Sequence, residues 1–164
     1  MSDTPRFALP FILPGQAQKE LFHNEALVRI DAALHAAIEG PLLADPPPTP
    51  APGQCWVVAG APTGAWSGKA GQLAVWTDGG WRFVAPVPGM LAWDKVGGHW
   101  IHFDGTGWSV GELPATALVV GGLQVVGTRQ PNVPSPSGGT IIDEEARAAI
   151  NGVIATLMSH GLIE

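Results

Sequence analysis

Five histidines, His23, His35, His99, His102 and His160, are the first side chains in this sequence suited to acid–base or metal chemistry. Only His99 and His102 lie close together, with Asp94 and Asp104 nearby. Residues three apart on a strand point to opposite faces, so this pair is badly placed to share a metal, and no metal site is assigned. Glycoside hydrolysis needs two facing carboxyl groups, and the acids between Gly53 and Leu113 are Asp78, Asp94, Asp104 and Glu112. Asp78 and Asp104 each precede a glycine, where a turn-forming side chain accounts for them. No catalytic residue follows from these groups. Cys55, the single cysteine, stands between Gln54 and Trp56 in an apolar run and reads as a small buried hydrophobe. The sequence contains neither a Gly-Lys-Ser/Thr phosphate loop nor a Gly-x-Ser-x-Gly nucleophile turn, so no cofactor is expected and the chain is read as a non-enzyme.

Tryptophan is the unusual resource. All seven, Trp56, Trp66, Trp76, Trp81, Trp93, Trp100 and Trp108, fall in one segment. A buried indole supplies a large apolar area to a small β core, and an exposed one offers a flat face to a sugar ring. Trp81 and Trp108 directly follow Asp-Gly turns and are the candidates for glycan stacking, with Asp78 and Asp104 as candidate polar partners.

These groups must be held by elements that the hydropathy pattern outlines. After Pro14, residues 16–39 contain good helix formers, and Leu27, Ile30, Leu34 and Ile38 recur at spacings of three and four on one apolar face. Five prolines between Pro46 and Pro52 then suggest a stiff linker. From Gly53 to Leu113, short apolar runs alternate with Asp-Gly and Gly-Gly turns, as antiparallel hairpins require. Residues 117–126 read as a further hairpin about Gly121-Gly122. A Pro/Gly/Ser stretch leads to a C-terminal helix that opens on Asp143, with Glu144 and Glu145 in its first turn. Its Ala146, Ile150, Val153, Ile154 and Leu157 share a face, and Gly161 closes its end.

The expected fold is therefore α+β: an N-terminal helical assembly segment (1–45), a Pro-rich linker (46–52), a Trp/Gly-rich antiparallel β module (53–113, a small sandwich or barrel-like), a β hairpin (114–130), and a linker with a C-terminal helix (131–164). Leu27, Ile30, Leu34 and Ile38, with Ala146, Ile150, Val153 and Leu157, are the expected oligomerisation positions, because a lone short helix cannot bury its own apolar stripe.

Composition bounds the partners. Charged residues make up only 13% of the chain, about half the usual share, which suits a surface shared among copies. The net charge of −6 without a basic cluster argues against nucleic acid, whose binding requires several cations at phosphates. No run of 18 apolar residues is present, so no membrane insertion is expected. The first residues lack a basic segment leading into an apolar one, so synthesis in the cytoplasm without a signal peptide is expected.

The stretch Leu9 to Leu27, with Gln16-Ala17-Gln18-Lys19-Glu20 and Asn24-Glu25-Ala26-Leu27, resembles the opening of a domain-of-unknown-function family from alphaproteobacterial prophages and gene transfer agents. In that family the opening is followed by a Gly/Trp-rich β segment. The end, from Arg129-Gln130-Pro131 through Asp143 to His160-Gly161-Leu162-Ile163, resembles a tailpiece of gene-transfer-agent tail-fibre proteins. The resemblance implies a structural tail-fibre subunit, trimeric in the family's manner, incorporated into the tail of a virion-like particle. Its implied partners are copies of itself (a homotrimer), tail or baseplate proteins, and a host-surface polysaccharide. A stand-alone carbohydrate-binding module and a fibre-borne glycan hydrolase are the alternative readings.

Overall fold

The structure, a computed structural model, describes residues 3–12 and 19–164. The chain divides into two compact units, Met1–Leu113 and Pro114–Glu164. In the first, helix α1 (Lys19–Ala33) is followed by strands β1 (Ala36–Ile38), β2 (Cys55–Val57), β3 (Leu73–Thr77), β4 (Gly80–Val84), β5 (Leu91–Asp94), β6 (His99–Phe103) and β7 (Trp108–Val110). The second contains β8 (Leu118–Val120), β9 (Leu123–Val126) and helix α2 (Glu144–Ser159). The fold is α+β, and neither sheet of the first unit closes into a barrel.

Strands β2, β3 and β4 form one antiparallel sheet, and β1, β5, β6 and β7 form another in that order. Inward side chains of both meet in one core: Cys55, Val57, Leu73 and Val75 from the first sheet, and Ala36, Ile38, Ala92 and Ile101 from the second, with Ala32 of α1. Each fully buried Leu, Ile or Val contributes about 1.5–3 kcal/mol relative to an exposed one. The opposite face of the β2–β4 sheet carries a second cluster of Trp56, Val58, Trp66 and Ala74.

The helix expected over 16–39 ends at Ala33, and its proposed start at Gln16 lies outside the described residues. His35 takes a positive φ of 45°, which ends the helix, and residues 36–38 pair in parallel with β5, Ala36 opposite Ala92 and Ile38 opposite Asp94. Ile38 therefore belongs to the sandwich core, fully buried, and not to a helical assembly face. Pairing with β5 and complete burial outweigh the helical spacing that links Ile38 to Leu34 in the sequence.

The proline-rich stretch does not separate two domains either. Leu43 bridges Val58 in parallel, Thr63 N donates to the Ala44 carbonyl, and residues 46–52 are a loop within the first unit.

Helix α1 is held through polar groups. The Asp31 carboxylate, almost fully buried, accepts from Thr4 Oγ1 at 2.7 Å, Phe7 N at 2.7 Å and Arg6 N at 3.1 Å. The Arg6 guanidinium donates to the carbonyls of Asp31, Ala32, Leu34 and His35, satisfying acceptors that a helix C-terminus leaves open. Asn24 completes the attachment with both a donor and an acceptor bond to the Ile12 backbone.

In the second unit, β8 and β9 form an antiparallel ribbon with an irregularity at Leu118/Val119. Asp143 caps α2 by accepting from Ala146 N at 2.8 Å, as its position before two glutamates leads one to expect. The chain end returns alongside, with Gln130 bridging Ile163 in parallel.

Candidate functional site

The tryptophans divide into two environments. Across the β3–β4 hairpin Trp76 faces Trp81, and their rings meet nearly edge-on with centroids 5.0 Å apart. Trp81 also makes edge contacts with Trp66 at 5.1 Å and Trp56 at 5.7 Å. Four indoles thus stack into one wall, with Phe83 beside them and the Lys69 ammonium 5.3 Å from its ring. Trp108 packs on the core shared by the two sheets, and its Nε1 donates to the Gly71 carbonyl at 2.8 Å. Both candidate stacking residues, Trp81 and Trp108, are therefore half-buried and held by intramolecular contacts.

The more open rings are Trp93 and Trp100. They face each other across the β5–β6 hairpin, edge-on at 5.2 Å, and are 36% and 37% exposed. Along β5, Leu91 and Trp93 point outward while Ala92 and Asp94 are buried. The sequence signal was present: the two rings are equidistant from the 95–98 loop, so any hairpin about that loop must pair them. Proximity to an Asp-Gly turn was the weaker guide, because it locates a ring along the strand without choosing a face.

The carboxylates are dispersed. Asp104 accepts from Thr106 N, Thr106 Oγ1 and Gly107 N, and these bonds hold its carboxyl at about 2, below its ordinary value. That is a turn-forming side chain. At the β3–β4 turn the closing group is Thr77, whose hydroxyl accepts from Gly79 N and donates to the Gly80 carbonyl; Asp78 stands exposed beside it. Asp78 and Asp104 lie in turns of different sheets and form no pair with each other in the hydrogen-bond network described.

Asp94 is buried and accepts at Oδ1 from Val96 N and Gly97 N. His99 Nε2 lies 3.9 Å from Asp94 Oδ2, at a mostly apolar hollow of about 360 Å³ that also involves Leu42, Val96 and Val110. His102 turns away from His99, with Nδ1 3.0 Å from the Glu112 carbonyl oxygen. Among the described residues no group of three or more His, Cys, Asp or Glu is arranged to hold a metal ion. Burial pushes the Cys55 thiol up to about 12, so it stays protonated and unreactive at neutral pH.

A second hollow, of about 270 Å³, lies between α1 and the β3–β4 turn, with Phe11, Leu21 and Val28 on its apolar side and Glu25, Thr77 and Arg82 on its polar side. On its polar side Arg82 Nε donates to Glu25 Oε2 at 2.7 Å, and Asp78 also lines it. Glu25 also pairs with Arg29 in the next helical turn.

Of the expected oligomerisation positions, Ile30 and Leu34 are exposed while Leu27 is half-buried and Ile38 fully buried. On α2, Ala146, Ile150 and Val153 are exposed, Leu157 is half-buried, and Ile154 is buried. No helix among the described residues is long and apolar enough to cross a membrane.

Comparison with curated proteins gives no match. The sequence model of one family matches residues 23–109, a range that runs from within α1 to β7 and includes both sheets and all seven tryptophans. The matched range exceeds half of the chain, and the protein belongs to the family described as "protein of unknown function (DUF2793)".

Proposed function

We propose that this chain is a structural subunit of a phage-type tail fibre, which assembles with copies of itself around a threefold axis and joins tail or baseplate proteins. The observation that carries the reading is the uncovered apolar surface of residues 114–164. Both faces of the β8–β9 ribbon are exposed, including Leu118, Val120, Leu123 and Val125. Helix α2 leaves Ile150, Val153 and Met158 exposed. The buried hydrophobics of this unit are Ile154 and Ile163, and an isolated two-stranded ribbon is marginal in water. A unit this small needs a larger core, a staple or neighbouring copies to persist. Further copies supply the missing cover, and the low charge of the chain fits that arrangement. The resemblance of the two chain ends to prophage and gene-transfer-agent tail-fibre proteins supports a fibre as that assembly.

Light scattering of the purified chain tests this. A mass of three chains or a multiple of three is expected. Ile150→Asp places a charge in the proposed contact, at a cost of several kcal/mol where the site is buried between copies, and lowers the mass. A monomeric parent, or a variant with unchanged mass and melting temperature, overturns the reading.

A host-surface polysaccharide is the ligand proposed for such a fibre. The rings suited to it are Trp93 and Trp100, whose outward faces on the β5–β6 hairpin support a sugar-stacking role better than Trp81 and Trp108 do.

A further inference from the structure

Beside the β5–β6 turn, two hydrogen-bond acceptors face one another without a donor between them. Asp94 is only 5% exposed, and its Oδ1 is engaged by the amides of Val96 and Gly97. Among the described residues no lysine or arginine pairs with it; Lys95, next in the chain, is held by Glu39. His99 Nδ1 lies 3.0 Å from the Gly97 carbonyl oxygen. A carbonyl only accepts, so the ring proton sits on Nδ1 and Nε2 is left as a bare lone pair. Nε2 is buried, has no hydrogen-bond partner among the described residues, and lies 3.9 Å from Asp94 Oδ2. That separation is too long for a direct bond. Gly97 makes room for the arrangement: a Cβ there would collide with the His99 ring and stand 3.0 Å from Asp94 Oδ2, although its own φ is not left-handed. Leu42 and Ile101 line the adjoining hollow, together with Val96, 74% exposed, and Val110, 52% exposed.

We propose that this hollow receives a lysine side chain of a partner protein, its ammonium bridging Asp94 Oδ2 and His99 Nε2. The assignment rests on charge and on the count of donors. A buried carboxylate without a cation calls for positive charge, and two acceptors call for a group with at least two protons to give. A nitrogen about 2.8 Å from both acceptors sees them roughly 90° apart, within the angular tolerance of two ammonium protons. A hydroxyl has one proton and leaves one acceptor empty. A guanidinium offers a rigid planar fork suited to both oxygens of one carboxylate, and Asp94 has a single oxygen free. The hydrocarbon stem of lysine packs along apolar surface while its head stays polar, which matches the apolar lining. At about 360 Å³ the hollow has room for one such side chain, near the lower end of the roughly 300–1,000 Å³ range of ligand sites. The site lies within the first unit and uses neither residues 114–164 nor Trp93 and Trp100. It deepens the assembly reading by giving a tail or baseplate protein a point of attachment, and rests on that reading for the source of the lysine.

The test titrates the full-length chain with N-acetyl-lysine methylamide at about pH 8, above the ordinary imidazole range. Nuclear magnetic resonance follows the Val96 and Gly97 amides and the His99 ring nitrogens. Saturable shifts with a roughly millimolar Kd are expected. Asp94→Asn keeps an oxygen to cap the turn and removes the charge, and should weaken binding about tenfold or more. His99→Phe keeps a ring and removes the acceptor, should weaken binding severalfold, and carries the test where Asp94→Asn does not fold. The norleucine analogue, which has the stem without the ammonium, should not bind. Absence of saturable shifts, unchanged affinity in both variants, or equal binding of the norleucine analogue overturns the site. Tighter binding of glucosamine overturns the assignment to lysine. A proton found on His99 Nε2 in the free chain at this pH also overturns it, because the two acceptors then satisfy each other. A chain that is monomeric by light scattering yet binds the lysine analogue retains this site and loses the fibre reading. A trimer that does not bind it retains the fibre reading and loses this site.

Discussion

Glu25 in α1 and Arg82 in β4 meet at 2.7 Å although they lie 57 residues apart in the sequence. The contact ties the helix to the hairpin that carries Trp76 and Trp81. Arg82 also donates to the carbonyls of Gly79 and Trp81, so one guanidinium joins the helix, the turn and the tryptophan wall.

This pair sets a pH dependence. Partial burial raises the Glu25 carboxyl, and the hydrogen bonds and charges of Arg82 and Arg29 more than offset it, leaving the group below its ordinary value of 4.5. A depressed carboxylate contributes stability that is present above its unfolded value and lost as pH falls through its folded one. The melting temperature of the parent is therefore expected to fall more steeply below pH 4.5 than that of Glu25→Gln. Arg82→Ala is expected to cost about 1–2 kcal/mol at neutral pH, measured by chemical denaturation. Parallel pH curves for parent and Glu25→Gln would show that the pair is energetically idle.

The Asp31 carboxylate anchors the segment before α1, and its removal is expected to be more costly. Asp31→Ala strands the Thr4 hydroxyl and the amides of Arg6 and Phe7, a loss of about 3 kcal/mol. Hydrogen exchange provides the local readout: the Arg6 and Phe7 amides should exchange much faster in the variant, with β5 and β6 amides changed only in proportion to global stability. Unaltered protection at Phe7 would refute the anchoring role.

The tryptophans should separate under alanine substitution. Trp66 is fully buried, and Trp66→Ala is expected to cost about 3–5 kcal/mol. Trp108→Ala loses core contact and the bond to Gly71 and should fall in a similar range. Trp93→Ala and Trp100→Ala remove a half-open pair and should each cost about 1 kcal/mol. Binding to host-surface polysaccharide, measured on the assembled protein, is expected to drop in the latter two alone. Equal stability losses at Trp93 and Trp66 would assign the outward pair to the scaffold.

Much of the architecture was legible because it depends on local rules. Asp143 followed by two glutamates marks a helix start, and Gly121-Gly122 between β-branched runs marks a ribbon. Asp78-Gly79 and Gly97-Gly98 locate two hairpins, and cross-strand pairing of Trp76 with Trp81 and Trp93 with Trp100 then follows from counting outward. Asp104 was readable as a turn residue for the same reason, since its partners lie within three residues.

What the residues alone did not decide was which side of each element faces the core. Leu27, Ile30, Leu34 and Ile38 have helical spacing, yet Ile38 is drawn into a parallel strand beside β5, and α1 seats Ala32 in the core next to its bonded Asp31. That outcome depends on Thr4, Arg6, Ile12 and Arg82, which reach Asp31, Asn24 and Glu25 only after folding. Trp81 and Trp108 are half-buried for a related reason: a strand offers two faces, and the burial of either depends on a distant sheet packing there. Periodicity and turn chemistry are properties of neighbours along the chain, so the sequence determined most of the elements and their order, with β1 the exception. Burial is a property of neighbours in space, so the assignment of faces awaited the tertiary structure.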